Sequence, residues 1–188
     1  MSFLSHATAR QARRAFLGSS LALSGAAVAL LAGTRGLANG AGPSKPTDVG
    51  ILNSALGSEL EAIAAYQTGA ESGLLQKPVL ALALQFQGHH KAHADVLAGV
   101  VRKLGGTPVE AKKRYDFPVE TLKSQVDVLR FAAGLEQGAV SAYVGAVPLF
   151  HDRELSRAAA SILGDEAMHW AILRNALGED PVPAAFVG

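Results

Sequence analysis

The chain has no cysteine, which excludes a disulfide framework, a thiolate metal site and a lipid anchor on cysteine. It has no basic body either. Residues 1–40 carry Arg10, Arg13, Arg14 and Arg35 with no Asp or Glu, so the rest holds 13 of the 17 basic and all 16 acidic side chains, a net of −3. A body without a basic stripe argues against nucleic acid as a partner. No stretch shows convincing alternation of apolar and polar residues, which leaves no sign of strands. There is no long hydrophobic run: the apolar stretch from Leu17 to Leu31 falls short of the about 20 residues a membrane-spanning helix needs.

What is present begins with that short run. RRAFL (13–17) followed by GSSLALSGAAVALLAG resembles a twin-arginine export signal. Ala38-Asn39-Gly40 places small residues where a signal peptidase reads, so cleavage near Gly40 is expected. The mature protein is then periplasmic or otherwise exported, with no stable membrane anchor. An uncleaved anchor is the other reading of the same residues. The expected division is a signal over 1–40 and one domain over 41–188.

After Pro43 and Pro46, four amphipathic stretches follow. The first, from about Asp48 to Ser72, sets Leu52, Leu56, Glu59, Ile63 and Tyr66 three and four residues apart. The second covers about 79–104, with Pro78 suited to a first helical turn and Gly105-Gly106 as a stop. Its apolar line is Val79, Leu82, Phe86, His90, His93, Leu97, Val101, Leu104, and Val96 reads as a core residue beside it. The third begins near Thr121, ends near Pro148, and aligns Val126, Leu129, Ala133, Glu136, Val140, Tyr143 and Val147. The fourth, about 153–177, aligns Ile162, Glu166, His169, Leu173 and Leu177 before Gly178. The middle connection, residues 105–120, contains Pro108, Pro118 and the basic run Lys112-Lys113-Arg114. About 16 extended residues reach roughly 50 Å, the length of a bundle. Two helical hairpins joined by one long crossover make an all-α, ferritin-like four-helix bundle. The tail GEDPVPAAFVG, with two prolines, excludes a proper fifth helix.

Each apolar stripe is interrupted near its middle: by Glu59, by His90 and His93, by Glu136, and by Glu166 and His169. An unpartnered buried carboxylate costs several kcal/mol or is forced neutral. Three carboxylates converging from three helices need cations among them. Divalent metal held by Glu oxygens and His nitrogens supplies that charge, and Glu166-Ala167-Met168-His169 matches the Glu-x-x-His spacing of di-iron and di-manganese bundles. Repulsion among the three carboxylates predicts that Glu136→Gln stabilises the metal-free fold. An interhelical hydrogen bond is the plainer reading of any one of these residues.

With those residues in view, the chain resembles the ferritin-like superfamily and, locally, the bacterioferritins. LNSALGSELEAIAAY (52–66) is similar to their first helix, ILGDEAMHWAIL (162–173) to their fourth, and KAHAD (91–95) with LGGTP (104–108) to the second helix and its exit. The resemblance implies Glu59 as a metal ligand, Glu136 as a terminal carboxylate ligand and Glu166 as a bridging ligand. It also implies His93 and His169 as histidine ligands, and Tyr66 as the tyrosine next to the site, with a catalytic role. His90 stands where the family has a bridging Glu, so the motif here is HxxH. Lys91 stands where haem-binding members have Met, so no haem is implied. His89 reads as supporting or partly exposed, although a pairing of His89 with His93 as ligands stays open. His151 reads as solvated.

The implied cofactor is iron, two ions per chain or only one, with manganese as the alternative. The expected activity is oxidation of ferrous iron, or consumption of peroxide, in oxidative-stress or iron handling, with metal ions and O2 or peroxide as partners. A homodimer is the assembly left open. The alternative is a non-catalytic stress or metal-binding protein with a degenerate site. A third class, a substrate oxidase, needs room beside the small residues of the third helix, among them Ala132 and Ala133.

Overall fold

The computed structural model describes residues 47–187. The signal expected over 1–40 and its cleavage near Gly40 lie outside the described residues. Among the described residues four α-helices carry the fold: α1 Asp48–Glu71, α2 Lys77–Lys103, α3 Gln125–Ala146 and α4 Arg153–Ala176. Short 3₁₀ turns at Val119–Thr121 and Val147–Leu149 precede and follow α3, and no strand occurs among the described residues. α1 packs along α2, α3 along α4, and α1 also meets α3. The all-α bundle with one long crossover, from Leu104 to Ser124, is what the sequence predicts.

Local chemistry sets the helix ends. The Thr47 hydroxyl accepts from Gly50 N–H at 3.2 Å and starts α1. The Asp152 side chain caps α4 through Glu154 N–H at 2.7 Å. α3 starts later than expected, because Thr121 closes a 3₁₀ turn and Ser124, in extended conformation, is the residue whose hydroxyl accepts from Asp127 N–H. After α2 the chain turns through Gly105, whose φ of 79° suits glycine. Gly106 lies so close to Val49 and Val101 that a Cβ would sit 2.6 Å from the Val49 side chain. Asn53 then pins the crossover, donating to Thr107 C=O and accepting from Val109 N–H. After Ala176 the described tail has no helix.

The core is layered. One apolar cluster holds Leu52, Leu56, Ala94, Leu97, Val101, Tyr143, Ala159 and Ile162. A second holds Tyr66, Phe86, Leu129, Ala132, Ala133 and Leu173. On every helix the polar residues fall between those two sets, so Glu59, His90, Glu136, Glu166 and His169 form a buried layer across the middle. Three expected core positions are exposed instead. Val96 is 57% exposed because it points away from the Phe86–His90–Leu97–Val101 line, and Leu104 lies beyond the last turn of α2. Val126 points away from the packed side of α3, which Val128 and Leu129 supply. No described helix is long and apolar enough to cross a membrane.

Candidate metal centre

The helical period delivers one or two polar side chains per helix to a single buried layer. Glu59, His90, Glu136, Glu166 and His169 are each at most 2% exposed. The His93 side chain, one turn from His90, keeps 15% of its surface. His90 is the hub: its Nδ1 lies 2.8 Å from Glu59 Oε2 and 3.6 Å from Glu166 Oε1, and its Nε2 lies 3.3 Å from Glu136 Oε1. His93 Nδ1 lies 3.1 Å from Glu166 Oε1 and 3.6 Å from Glu59 Oε2. His169 Nδ1 lies 3.5 Å from Glu136 Oε1 and 3.6 Å from Glu166 Oε2.

Two tyrosines close the layer. Tyr66 on α1 donates to Glu136 Oε1 on α3, and Tyr143 on α3 donates to Glu59 Oε1 on α1 at 2.6 Å. Each tyrosine lies seven residues after the glutamate of its own helix, so the two hairpins present matching pairs. Burial, and then the facing carboxylates, push both phenols well above their ordinary pKa. They stay protonated and remain donors.

The electrostatics of the layer are reciprocal. Burial works against charge on His90, but Glu136 and Glu59 overcome it and push His90 up to about 10. His93 and His169 rise to about 9 against burial, through Glu166 and Glu59 in one case and Glu136 and Glu166 in the other. Burial tends to raise Glu59 and Glu136. The facing imidazoles of His90 and His93 instead hold Glu59 below the usual range, and those of His169 and His90 hold Glu136 far below it.

Two groups of four can hold a metal ion: Glu59, His90, His93 and Glu166, and then His90, Glu136, Glu166 and His169. They share His90 and Glu166. The donor set fits a divalent metal on a direct observation. His93 Nδ1, His169 Nδ1 and both Glu166 oxygens are buried without a hydrogen-bond partner, a costly state that a metal ion displacing the imidazole protons would relieve. Carboxylate and imidazole together suit iron, manganese or zinc.

The ferritin-like domain model matches residues 47–179. The chain belongs to the ferritin-like domain family. The crystal structure of a conserved hypothetical protein, rv2844, from Mycobacterium tuberculosis has the same fold. Its TM-score is 0.65 at 24% identity, covering 74% of this chain and 96% of that one. No curated protein matches.

Within this ferritin-like domain the six side chains singled out as ligands, and Tyr66, lie together in one layer. His89 lies apart from the carboxylate hub: its Nδ1 is 3.0 Å from Asp165 Oδ2 and 2.9 Å from His169 Nε2. His89, Asp165 and His169 form a third, half-exposed group that can hold a metal. Sequence reasoning missed Asp165. Its Oδ2 also lies 3.4 Å from His93 Nε2 and 3.3 Å from His169 Nε2, so one carboxylate faces the outer nitrogens of both imidazoles. The available signal was its i,i+4 spacing from His169. It missed the role of Tyr143 too, which the repeat of Glu-x₆-Tyr at 59/66 and 136/143 signals. His151 is exposed, as expected, with 63% of its side-chain surface open, and its backbone N–H donates to Asp48 Oδ1 at 2.9 Å.

Proposed function

We propose that this ferritin-like protein is exported by the twin-arginine route. In this reading it holds non-haem metal, two irons per chain, and oxidises ferrous iron with O2 or peroxide. Manganese is the alternative metal in this reading. The observation that carries the reading is the set of buried ring nitrogens and carboxylate oxygens on His93, His169 and Glu166 without a hydrogen-bond partner, amid three carboxylates and three imidazoles. Glu59 and His93 would hold metal on one side, Glu136 and His169 on the other, with Glu166 and His90 facing both. Ferrous iron held there would supply the two electrons, one from each ion, that with two protons reduce O2 to hydrogen peroxide. The chain's residues do the rest. The carboxylates favour the higher charge of the oxidised ion, Tyr66 orients Glu136, and Tyr143 orients Glu59.

Metal content of protein isolated from its native host, followed by ferrous titration with stopped-flow absorbance, tests the reading. Near-stoichiometric iron and ferric product formed faster than in buffer are expected; protein with no bound metal and no turnover sinks it. Export is tested separately, because replacing Arg13 and Arg14 together with Lys should leave precursor in the cytoplasm.

One observation favours a second reading, a non-catalytic protein with a structural polar core. Three acidic and three basic side chains face one another in the layer, so the metal-free charge can balance internally. That reading expects no response of stability to chelation.

A further inference from the structure

We propose that the apolar cavity beside Tyr66 is a holding site for one molecule of dioxygen, the oxidant of the adjacent centre. The proposal rests on the metal reading above and narrows its oxidant. Between α1, α2 and α3 lies a cavity of about 20 Å³, bounded by Tyr66, Val79, Ala83, Ala132, Leu135 and Leu173 among others. Its walls abut the centre on three helices. Tyr66 donates to Glu136, Leu135 immediately precedes Glu136, and Leu173 follows His169 by one turn. In the other direction the lining reaches Leu75 in the α1–α2 turn, towards the end of the bundle.

Size and polarity select the occupant. About 20 Å³ is open to the centre of a water-sized sphere, which leaves room for a single small molecule. It is far below the roughly 300 Å³ or more of an ordinary organic ligand site, so a substrate oxidase is disfavoured here. The accessible wall is wholly apolar, and a stable buried water needs about two to four polar partners. The one polar lining side chain, Tyr66, has its hydroxyl committed to Glu136. Water and hydrogen peroxide therefore find no hydrogen-bond partner on the wall, whereas an apolar diatomic needs none. Dioxygen is the oxidant that fits.

Xenon pressurisation of the metal-free protein tests the cavity without activity, because dry apolar cavities take up xenon. One xenon is expected beside Tyr66, in a derivatised crystal or as a saturable ¹²⁹Xe shift. Ala83→Leu and Val79→Phe, both at half-buried lining positions, should each remove it; two variants guard against one that misfolds. In iron-loaded protein the filled variants should keep the parent's iron stoichiometry, oxidise iron several-fold more slowly with O2, and keep the parent's rate with peroxide. Absence of xenon in the parent overturns the proposal, as does an unchanged O2 rate in a variant shown to exclude xenon. A parent that binds no iron overturns both the metal reading and dioxygen's role as its oxidant; the metal analysis registers that failure separately from the xenon result.

Discussion

Tyr66 on α1 donates to Glu136 on α3, and Tyr143 on α3 returns the bond to Glu59 on α1. His90 stands between the two glutamates with one nitrogen towards each. The chain of contacts Tyr143–Glu59–His90–Glu136–Tyr66 ties α1, α2 and α3 together. Buried networks of this kind are strong when every member is satisfied and costly when one is removed.

Tyr66→Phe and Tyr143→Phe should each cost about 1–3 kcal/mol, because each leaves a buried carboxylate oxygen short of a donor. Since both tyrosines act on His90 through their glutamates, the double variant should depart from additivity by about 0.5 kcal/mol or more. Urea unfolding of the four proteins measures both effects. Strict additivity would mean that the two halves of the layer are independent.

Glu136→Gln should destabilise the metal-free protein, the reverse of what carboxylate crowding alone predicts. Glu136 faces His90, His169 and Tyr66, so the change leaves buried imidazoles without their anion, a loss of about 3–5 kcal/mol for a broken buried pair. Denaturant midpoints in the presence of chelator decide the sign.

His90→Glu places a fourth carboxylate where an imidazole now faces Glu59, Glu136 and Glu166. The metal-free variant should therefore melt below the parent, and added ferrous or manganous ion should raise its melting temperature by more than it raises the parent's. A ligand at a hundredfold excess over Kd stabilises by about 2.7 kcal/mol. A variant that melts low and ignores metal would count against His90 lying on the metal.

The metal-free protein should be most stable near pH 5 to 6.5. His90 near 10 and His93 and His169 near 9 bind protons more tightly folded than unfolded. Their stabilisation is complete below the unfolded value of about 6.5 and is lost as pH rises through about 9 to 10. Glu59 and Glu136, held low, stabilise above the unfolded value and lose that effect as pH falls. Because metal displaces protons from the imidazoles, metal affinity should climb across the same alkaline window, with proton release. Calorimetric titrations in two buffers of different ionisation enthalpy count the protons; zero release contradicts the assignment of these histidines as ligands.

Asp165→Asn should weaken metal binding about 10- to 100-fold, the usual effect of losing the carboxylate behind ligand histidines. Its single oxygen faces the outer nitrogens of His93 and His169 as well as His89. Asp165 is only partly buried, so folding should change little. Competition with a coloured chelator reads the affinity, and an Asn variant with parental affinity removes Asp165 from the site.

The four helices, their crossover and the polar layer were legible in the sequence because the 3.6-residue period acts locally. It puts Glu59, His90, Glu136 and Glu166 on the same faces as Leu56, Phe86, Val140 and Ile162, whatever the neighbours are. Side-chain pairing depends instead on which helix lies opposite. Nothing near Tyr143 in sequence reveals Glu59, 84 residues away, or shows that Asp165 on α4 collects three histidines. The sign of Glu136→Gln turns on the same fact: carboxylates counted along the chain repel, but the folded chain puts an imidazole between them. Periodicity determined which residues are buried; the packing of α1 and α2 against α3 and α4 decided which charges meet there.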